Sequence, residues 1–439
     1  MTHRTRTDAR AIWNAAVQAA RPAHLLDHFL ASNPLGGAIR AAPRILVIGA
    51  GKAGPGMAAA LEAALADRLE RIEGIVNVPE GVHQPLARIR LHAARPQGVN
   101  EPTAAGVAGA EEMLRLLTSA GPDDVAVCLL SGGGSALLPA PAAGISLDDK
   151  QAVTRLLHRS GATIDEMNCV RKHLSRVKGG RLAEAFRGKL FVSLIISDVV
   201  GDPLDVIASG PTAPDPTTFG EALAVLERYS LFDCTPPAVK GHLERGARGE
   251  LPETLKSLPS NVASCVIGSN RLSLDAAAKA AAERGYRVLD LGSFVEGETR
   301  QVATALAGIV RSIRRDRQPL APPACLLLGG ETTVTLGDGS GKGGRNQEFV
   351  LAMLAKLGPP GMQGVTVLSG GTDGEDGPTD AAGAIGDADT FTRAAALGLS
   401  VEDHLHRHDA YPFFDATGDL LRTGLTGTNV MDVRIILVI

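Results

Sequence analysis

Five times along the 439-residue chain, an apolar run breaks into a glycine-rich polar turn. The five segments are Ile45-Leu-Val-Ile-Gly-Ala-Gly-Lys52, Cys128-Leu-Leu-Ser-Gly-Gly-Gly-Ser135, Leu194-Ile-Ile-Ser-Asp-Val-Val-Gly-Asp202, Leu326-Leu-Leu-Gly-Gly-Glu-Thr332 and Val367-Leu-Ser-Gly-Gly-Thr-Asp-Gly-Glu-Asp-Gly377. Glycine lets the backbone approach a ligand closely, and successive N–H groups in such turns form concavities for anions. One such turn is an ordinary connection. Five that carry Lys, Ser, Asp, Glu and Thr point to the handling of phosphates and small carboxylates.

The first turn, Gly49-Ala-Gly-Lys-Ala-Gly54, fits G-x-G-x-x-G. A dinucleotide site also wants an acid at the tip of the next strand, and Gly74–Val78 runs into Pro79-Glu80 with no Asp there. Lys52 inside the loop suits a phosphate or carboxylate better than it suits a nicotinamide dinucleotide. Ser131–Ser135 lacks the G-x-S-x-G of a nucleophile elbow, so its serines read as phosphate donors. Asp198, Asp202 and Asp205 crowd three acids into eight residues, which a bound Mg²⁺ would neutralise; turn and cap chemistry is the alternative.

Gly337–Arg345 fails the Walker A spacing and reads as a flexible loop or an anion loop. It leads into a helix that Arg345 opens, where the positive dipole end makes a purely structural arginine unfavourable. Asp373, Glu375, Asp376 and Asp380 form an acidic loop without EF-hand spacing, suited to Mg²⁺ or ribose hydroxyls. His404, His406 and His408 are expected in a solvated segment rather than at zinc.

The elements that must position these residues follow from periodicity. Nearly all-apolar runs such as Asp124–Leu130, Leu190–Ile196 and Ala324–Leu328 alternate with helical stretches such as Pro55–Glu70 and Glu298–Arg314. That alternation predicts an α/β fold with mainly parallel sheets covered on both faces. The Pro- and Gly-rich stretch Pro211–Pro259 is the expected boundary, giving domains 1–260 and 261–439 with the ligand between them.

Composition narrows the function. Lys+Arg 44 against Asp+Glu 48 gives a net charge of −4, and aromatics are 3%, which disfavours a nucleic-acid platform. No apolar run reaches the roughly 18–20 residues of a membrane span, and no secretory signal is visible. Five scattered cysteines, never in a C-x-x-C pair, are expected as reduced thiols in a cytoplasm.

Longer strings then carry a resemblance. Asn168-Cys-Val-Arg-Lys-His-Leu-Ser175, Lys178-Gly-Gly-Arg-Leu-Ala183, Ser197-Asp-Val-Val-Gly-Asp202 and Ile207-Ala-Ser-Gly-Pro-Thr212 resemble the amino-terminal domain of the glycerate 2-kinase family. Gly329-Gly-Glu-Thr-Thr-Val-Thr335, Gly343-Gly-Arg-Asn-Gln-Glu348, Gly371-Thr-Asp-Gly-Glu-Asp-Gly-Pro-Thr379 and Thr426-Gly-Thr-Asn-Val430 resemble its carboxy-terminal MOFRL domain. The resemblance implies a Rossmann-like parallel sheet in the first domain and a mixed-sheet α/β/α second domain. It implies ATP- and Mg²⁺-dependent phosphorylation of D-glycerate at its 2-hydroxyl, and it places Lys52 and Arg345 as the catalytic cations. Members also labelled hydroxypyruvate reductase keep an NAD(P)H-dependent reductase as the alternative, and a nucleotide-sensing module is a third.

On this reading Lys52 and Arg345 act on the transferring phosphoryl from opposite domains, drawing on a reservoir of cations that includes Arg171, Lys172, Lys178, Arg181 and Lys342. Asp198 holds Mg²⁺ or orients the acceptor hydroxyl, with Asp205 as a second metal candidate. The nucleotide-binding candidates are Gly49, Gly51, Ser131, Gly132, Gly133, Gly134, Ser135, Glu331, Thr332 and Asp373. The expected partners are D-glycerate and ATP, with neither nucleic acid nor membrane, and homo-oligomerisation stays open.

Overall fold

Apolar runs that are buried on both faces make the frame. The computed structural model describes residues 2–82, 84–96, 98–99, 101–337 and 341–439. It holds fourteen strands among these residues: β1 Ile45–Ala50, β2 Ile72–Pro79, β3 Ile89–Arg95, β4 Val125–Leu130, β5 Leu190–Ile196, β6 Val262–Gly268, β7 Arg287–Asp290, β8 Gly297–Glu298, β9 Ala324–Gly330, β10 Thr332–Thr333, β11 Val365–Gly371, β12 Gly383–Asp387, β13 Leu420–Leu421 and β14 Asp432–Val438. The chain divides into two compact units, residues 25–267 and residues 1–24 with 268–439.

In the unit 25–267, six strands run in the order β3-β2-β1-β4-β5-β6. The pairs β2–β3, β1–β2, β1–β4 and β4–β5 are parallel. This is the doubly wound order, in which chain direction across the sheet reverses between β1 and β4. Leu46, Ile48 and Ala50 of β1 and Ala126, Cys128 and Leu130 of β4 share one core with Ala110, Met113 and Leu117 of the helix Ala104–Thr118.

In the other unit the sheet order is β13-β12-β11-β14-β9-β7, antiparallel except for the β7–β9 pair. The period-2 rule is plain in β9 and β14. Ala324, Leu326, Leu328, Ile436 and Val438 face a core built with the helices Thr299–Asp316 and Arg345–Gly361. Cys325, Leu327, Val433, Ile435 and Leu437 face the opposite core, built with Thr2–Ala19 and Asn270–Glu283. This is a mixed sheet between two helical layers. A two-stranded parallel ribbon, β8 with β10, stands apart from it.

The expected division at 260/261 differs from this packing in two places. Residues 1–24 join the carboxy-terminal unit because the apolar face of Thr2–Ala19 (Ala9, Ile12, Trp13 and Ala16) completes its core. Residues 211–259 stay with the first unit, as that division expects, through Phe219, Ala222, Leu226, Val239 and Leu243 on Val153, Leu157 and Val170; the second difference is that the unit runs on to residue 267, with β6 as the sixth strand of its sheet. No described helix is long and apolar enough to cross a membrane.

Candidate functional site

The reversal between β1 and β4 places two glycine turns side by side at the carboxyl ends of their strands. Ser131 N donates to Ala50 O at 3.2 Å, Lys52 N to Gly132 O at 2.8 Å and Ala53 N to Ser131 Oγ at 3.0 Å, so the two turns are stitched together. Gly49 is the last but one residue of β1, and Gly51 N donates to Asn77 O of β2 at 3.2 Å. Gly133 has φ +77°, a conformation that favours glycine, and Gly134 opens the short helix Gly134–Leu137. Asp198 follows β5 with its carboxylate lying over Gly132, where any added methyl would run into Oδ2. The Lys52 side chain is exposed.

Beside this turn opens a cavity of about 640 Å³ in the same unit. Its walls include Ser131–Ser135, Asp198, Lys150, Arg155, Arg171 and Lys178. Two capping boxes set the helices that supply the cations. Ser146 with Asp149 starts Leu147–Ser160, and Thr163 with Glu166 starts Ile164–His173. Lys150 shares the buried face of its helix with Val153 and Leu157, so its ammonium is carried inside, where it donates to Leu174 O at 3.3 Å.

Burial, with the charges of Arg171 and Arg181, pulls the Lys150 pKa down to about 7. Lys178 is fully buried and donates to Ser135 O at 3.2 Å and Ala208 O at 3.0 Å. Its pKa lies well below the usual value through burial and then through Arg171, Lys150 and Lys172. Burial alone lowers that of Arg171. No carboxylate contributes to any of these three shifts, although Glu101 and Asp198 also line the cavity. Ala208 and Ser209 hold φ values of 53° and 62°, and the Ser209 hydroxyl meets Ser135 Oγ at 2.9 Å and Asn168 Oδ1 at 3.0 Å. Such strained backbone gathers at functional sites.

The other unit builds a second polar cluster. Arg345 opens the helix Arg345–Gly361, as its position in the sequence predicts. Its Nε donates to Asp432 Oδ2 at 2.7 Å, Nη2 to Asp432 Oδ1 at 3.1 Å and Nη1 to Glu331 Oε1 at 2.7 Å. Asp376 caps the helix from another loop, accepting from Asn346 N at 2.9 Å and Gln347 N at 2.8 Å. Burial raises the Asp376 pKa to about 7 against those two hydrogen bonds. Burial likewise pushes Asp432 up, but Arg434 and Arg345 outweigh it and hold the carboxylate ionised. Thr332 is buried, and its hydroxyl accepts from Arg434 Nη2 at 2.7 Å.

Comparison with known proteins agrees with this architecture. Residues 8–244 match a domain of unknown function, DUF4147, and residues 324–432 match the MOFRL family. A Pyrococcus horikoshii protein named glycerate 2-kinase is 42% identical over 395 residues, covering 90% of this chain and 87% of its own. The chain belongs to the glycerate 2-kinase family. The crystal structure of glycerate kinase from Thermotoga maritima superposes with a TM-score of 0.89 at 36% identity, covering 100% of both chains. A protein of Agrobacterium vitis provisionally named hydroxypyruvate reductase is 44% identical, covering 90% of this chain and 99% of its own.

Within this family member, the structure brings together part of the expected site. Gly49, Gly51, Lys52, Ser131–Ser135 and Asp198 converge at the β1 and β4 tips, and Arg171 and Lys178 line the cavity beside them. Glu331, Thr332 and Arg345 cluster in the other unit, while Asp373 lies in the loop after β11, where its Oδ1 accepts from Glu375 N at 3.1 Å. Lys172 is a structural cation: it is buried between Asp205 (3.3 Å) and Asp215 (3.2 Å). Arg181 holds the carbonyls of Ser175 and Pro252, and Lys342 lies over the Tyr411 ring at 4.0 Å. Asp338, Gly339 and Ser340 of the 337–345 loop lie outside the described residues.

The histidine segment is only partly the solvated stretch expected from its charges, with His406 exposed. His404 is buried and bonded to Ser400 O at 2.7 Å, and His408 faces Glu348 at 2.9 Å. The acidic loop disperses: Asp376 is the helix cap, and Asp380 pairs with Tyr411 and Arg422. Among the described residues, no three His, Cys, Asp or Glu side chains gather as a metal cage. Magnesium takes one or two carboxylates with phosphate oxygens and water. Asp198 lies over the Gly132 turn, and Asp205 pairs with Lys172 at 3.3 Å. Sequence reasoning missed Lys150, Asp432 and the capping role of Asp376, since neither burial nor a partner distant in the sequence leaves a local signal.

Proposed function

We propose that this protein transfers the γ-phosphoryl group of ATP to the 2-hydroxyl of D-glycerate, giving 2-phospho-D-glycerate and ADP. The observation that carries the reading is the cavity at the β1/β4 reversal, where Lys150, Arg155, Arg171 and Lys178 outnumber the carboxylates Glu101 and Asp198 on its wall. Cations buried without a counter-ion cost several kcal/mol, and an anionic ligand restores the balance. The relatives named for glycerate phosphorylation supply the substrate class.

In this reading the backbone turn Ser131–Ser135 cradles phosphate, and the side chain of Lys52, exposed at its edge, neutralises the charge of the transferring group. The glycerate 2-oxygen attacks the γ-phosphorus, the bond to the β–γ bridging oxygen breaks, and the hydroxyl proton leaves to solvent. Asp198 orients that hydroxyl or holds Mg²⁺, which when bound with the nucleotide neutralises phosphate charge. Arg345, fixed in orientation by Asp432 and Glu331, is the other unit's own cation for a phosphate. Glu331, Thr332 and Asp373 belong to the Arg345 cluster and its neighbouring loop and offer polar groups to a nucleotide within that unit. The protein works on small soluble molecules in the cytoplasm.

The G-x-G-x-x-G turn on a doubly wound sheet supports a second reading, hydroxypyruvate reduction by NAD(P)H. One assay separates the two. Purified protein given D-glycerate and Mg-ATP forms ADP and 2-phospho-D-glycerate on the first reading. Oxidation of NADH with hydroxypyruvate, without ADP formation, would establish the second.

A further inference from the structure

Arg95 is the last residue of β3, and its side chain is buried, with the residue 4% exposed. Among the described residues its Nε has no hydrogen-bond partner. Burial alone depresses its pKa, with no carboxylate contributing. An arginine placed so deeply normally rests on an acid, as Arg434 does on Asp432 at 2.9 Å.

The position of this guanidinium suggests a purpose. A methyl placed on Gly133 would lie 3.2 Å from Arg95 Nη2 and 3.5 Å from Lys52 Cγ. The Arg95 guanidinium and the stem of the Lys52 side chain, from different strand ends, therefore flank one point of the Ser131–Ser135 turn, the turn that also walls the cavity. Glu80 N donates to Arg95 O at 2.8 Å, which fixes the strand end and so the origin of the side chain.

We infer that Arg95 is a second anion-gripping residue at the glycine turn, its guanidinium joining Lys52 on a phosphate group of a polyphosphate ligand. A planar guanidinium matches phosphate through two parallel N–H···O bonds, which Lys52 cannot supply. With both cations beside Gly133, the terminal phosphates of the nucleotide lie at this turn. Lys150, Arg171 and Lys178, on the cavity wall, are left to the rest of the anionic load. This deepens the kinase reading and rests on it only for the identity of the polyphosphate as ATP.

The test uses inorganic tripolyphosphate as the probe and thermal unfolding as the readout, on the full chain. Arg95→Met removes a charge that has no partner, so the ligand-free protein should keep or raise its melting temperature. Its affinity for tripolyphosphate should fall by about 10- to 100-fold, as for a lost charged hydrogen bond. Arg95→Lys, which keeps the charge and loses the fork, should fall in between. Wild-type affinity in Arg95→Met would overturn the inference. So would a wild type that does not bind tripolyphosphate, or failure of Arg95→Met to fold, since the last would make Arg95 a structural residue. Tripolyphosphate binding through Arg95 in a protein that does not phosphorylate glycerate would refute the kinase reading and leave this inference standing.

Discussion

Arg345 grips Asp432 with two parallel N–H groups, Nε to Oδ2 at 2.7 Å and Nη2 to Oδ1 at 3.1 Å, across 87 positions of sequence. Asp432 also carries Arg434 and Asn346, so one carboxylate orients three side chains. Asp432→Asn should therefore cost about 3–5 kcal/mol of stability, as for a buried ion pair broken on one side. It should also lower kcat more than it raises KM, because Arg345 loses its aim. Denaturant unfolding together with steady-state kinetics checks both.

The Asp376 pKa, raised by burial to about 7, makes stability pH-dependent in a definite direction. The folded chain keeps that proton where the unfolded chain, with a carboxyl near 4, has lost it. Between about pH 4 and 7 the folded state binds more protons, so this group makes unfolding easier as pH rises. Urea unfolding across that range should show a shallower loss in Asp376→Asn than in the wild type.

Lys150 works in the opposite sense. Its folded pKa of about 7 lies below the ordinary lysine value near 10.4, so stability from this group rises between about pH 7 and 10. Lys150→Met should flatten that rise. An anion entering the cavity favours the charged form, so binding at pH 8 should take up protons. Calorimetry in buffers of different ionisation enthalpy should find that uptake in the wild type and less of it in Lys150→Met.

Gly132→Ala should drive its methyl into the Asp198 carboxylate and displace it. Turnover should drop by about 100-fold or more, as when a catalytic group is moved by an ångström. The melting temperature should change little, since the turn is at the surface of the cavity rather than in the core.

Much of the frame was legible in the chain because β1, β4 and β5 are short runs, all apolar but for Ser193, and strands buried on both faces look like that. β3, at the edge of its sheet, reads Ile-Arg-Leu-His-Ala-Ala-Arg and gives no such signal, so Arg95 went unseen with it. β12, Gly-Ala-Ile-Gly-Asp, is too rich in glycine to read as a strand. The glycine turns announced the β1/β4 site directly. Lys150 did not, because a lysine after two aspartates at a helix start looks solvent-facing until its neighbours Val153 and Leu157 fix which side is inward. The partition of residues 1–24 with the carboxy-terminal unit depends on a distant core that no local pattern encodes.

Single-turnover transfer from ATP to D-glycerate by Lys52→Met tests the central claim most directly. Lys52 is exposed, and it is its backbone that joins the Ser131–Ser135 turn, so the variant should fold with an unchanged melting temperature. The rate should fall by about 10³-fold, the scale of losing one group that stabilises charge in the transition state. Transfer at the wild-type rate in a folded Lys52→Met protein would contradict the account.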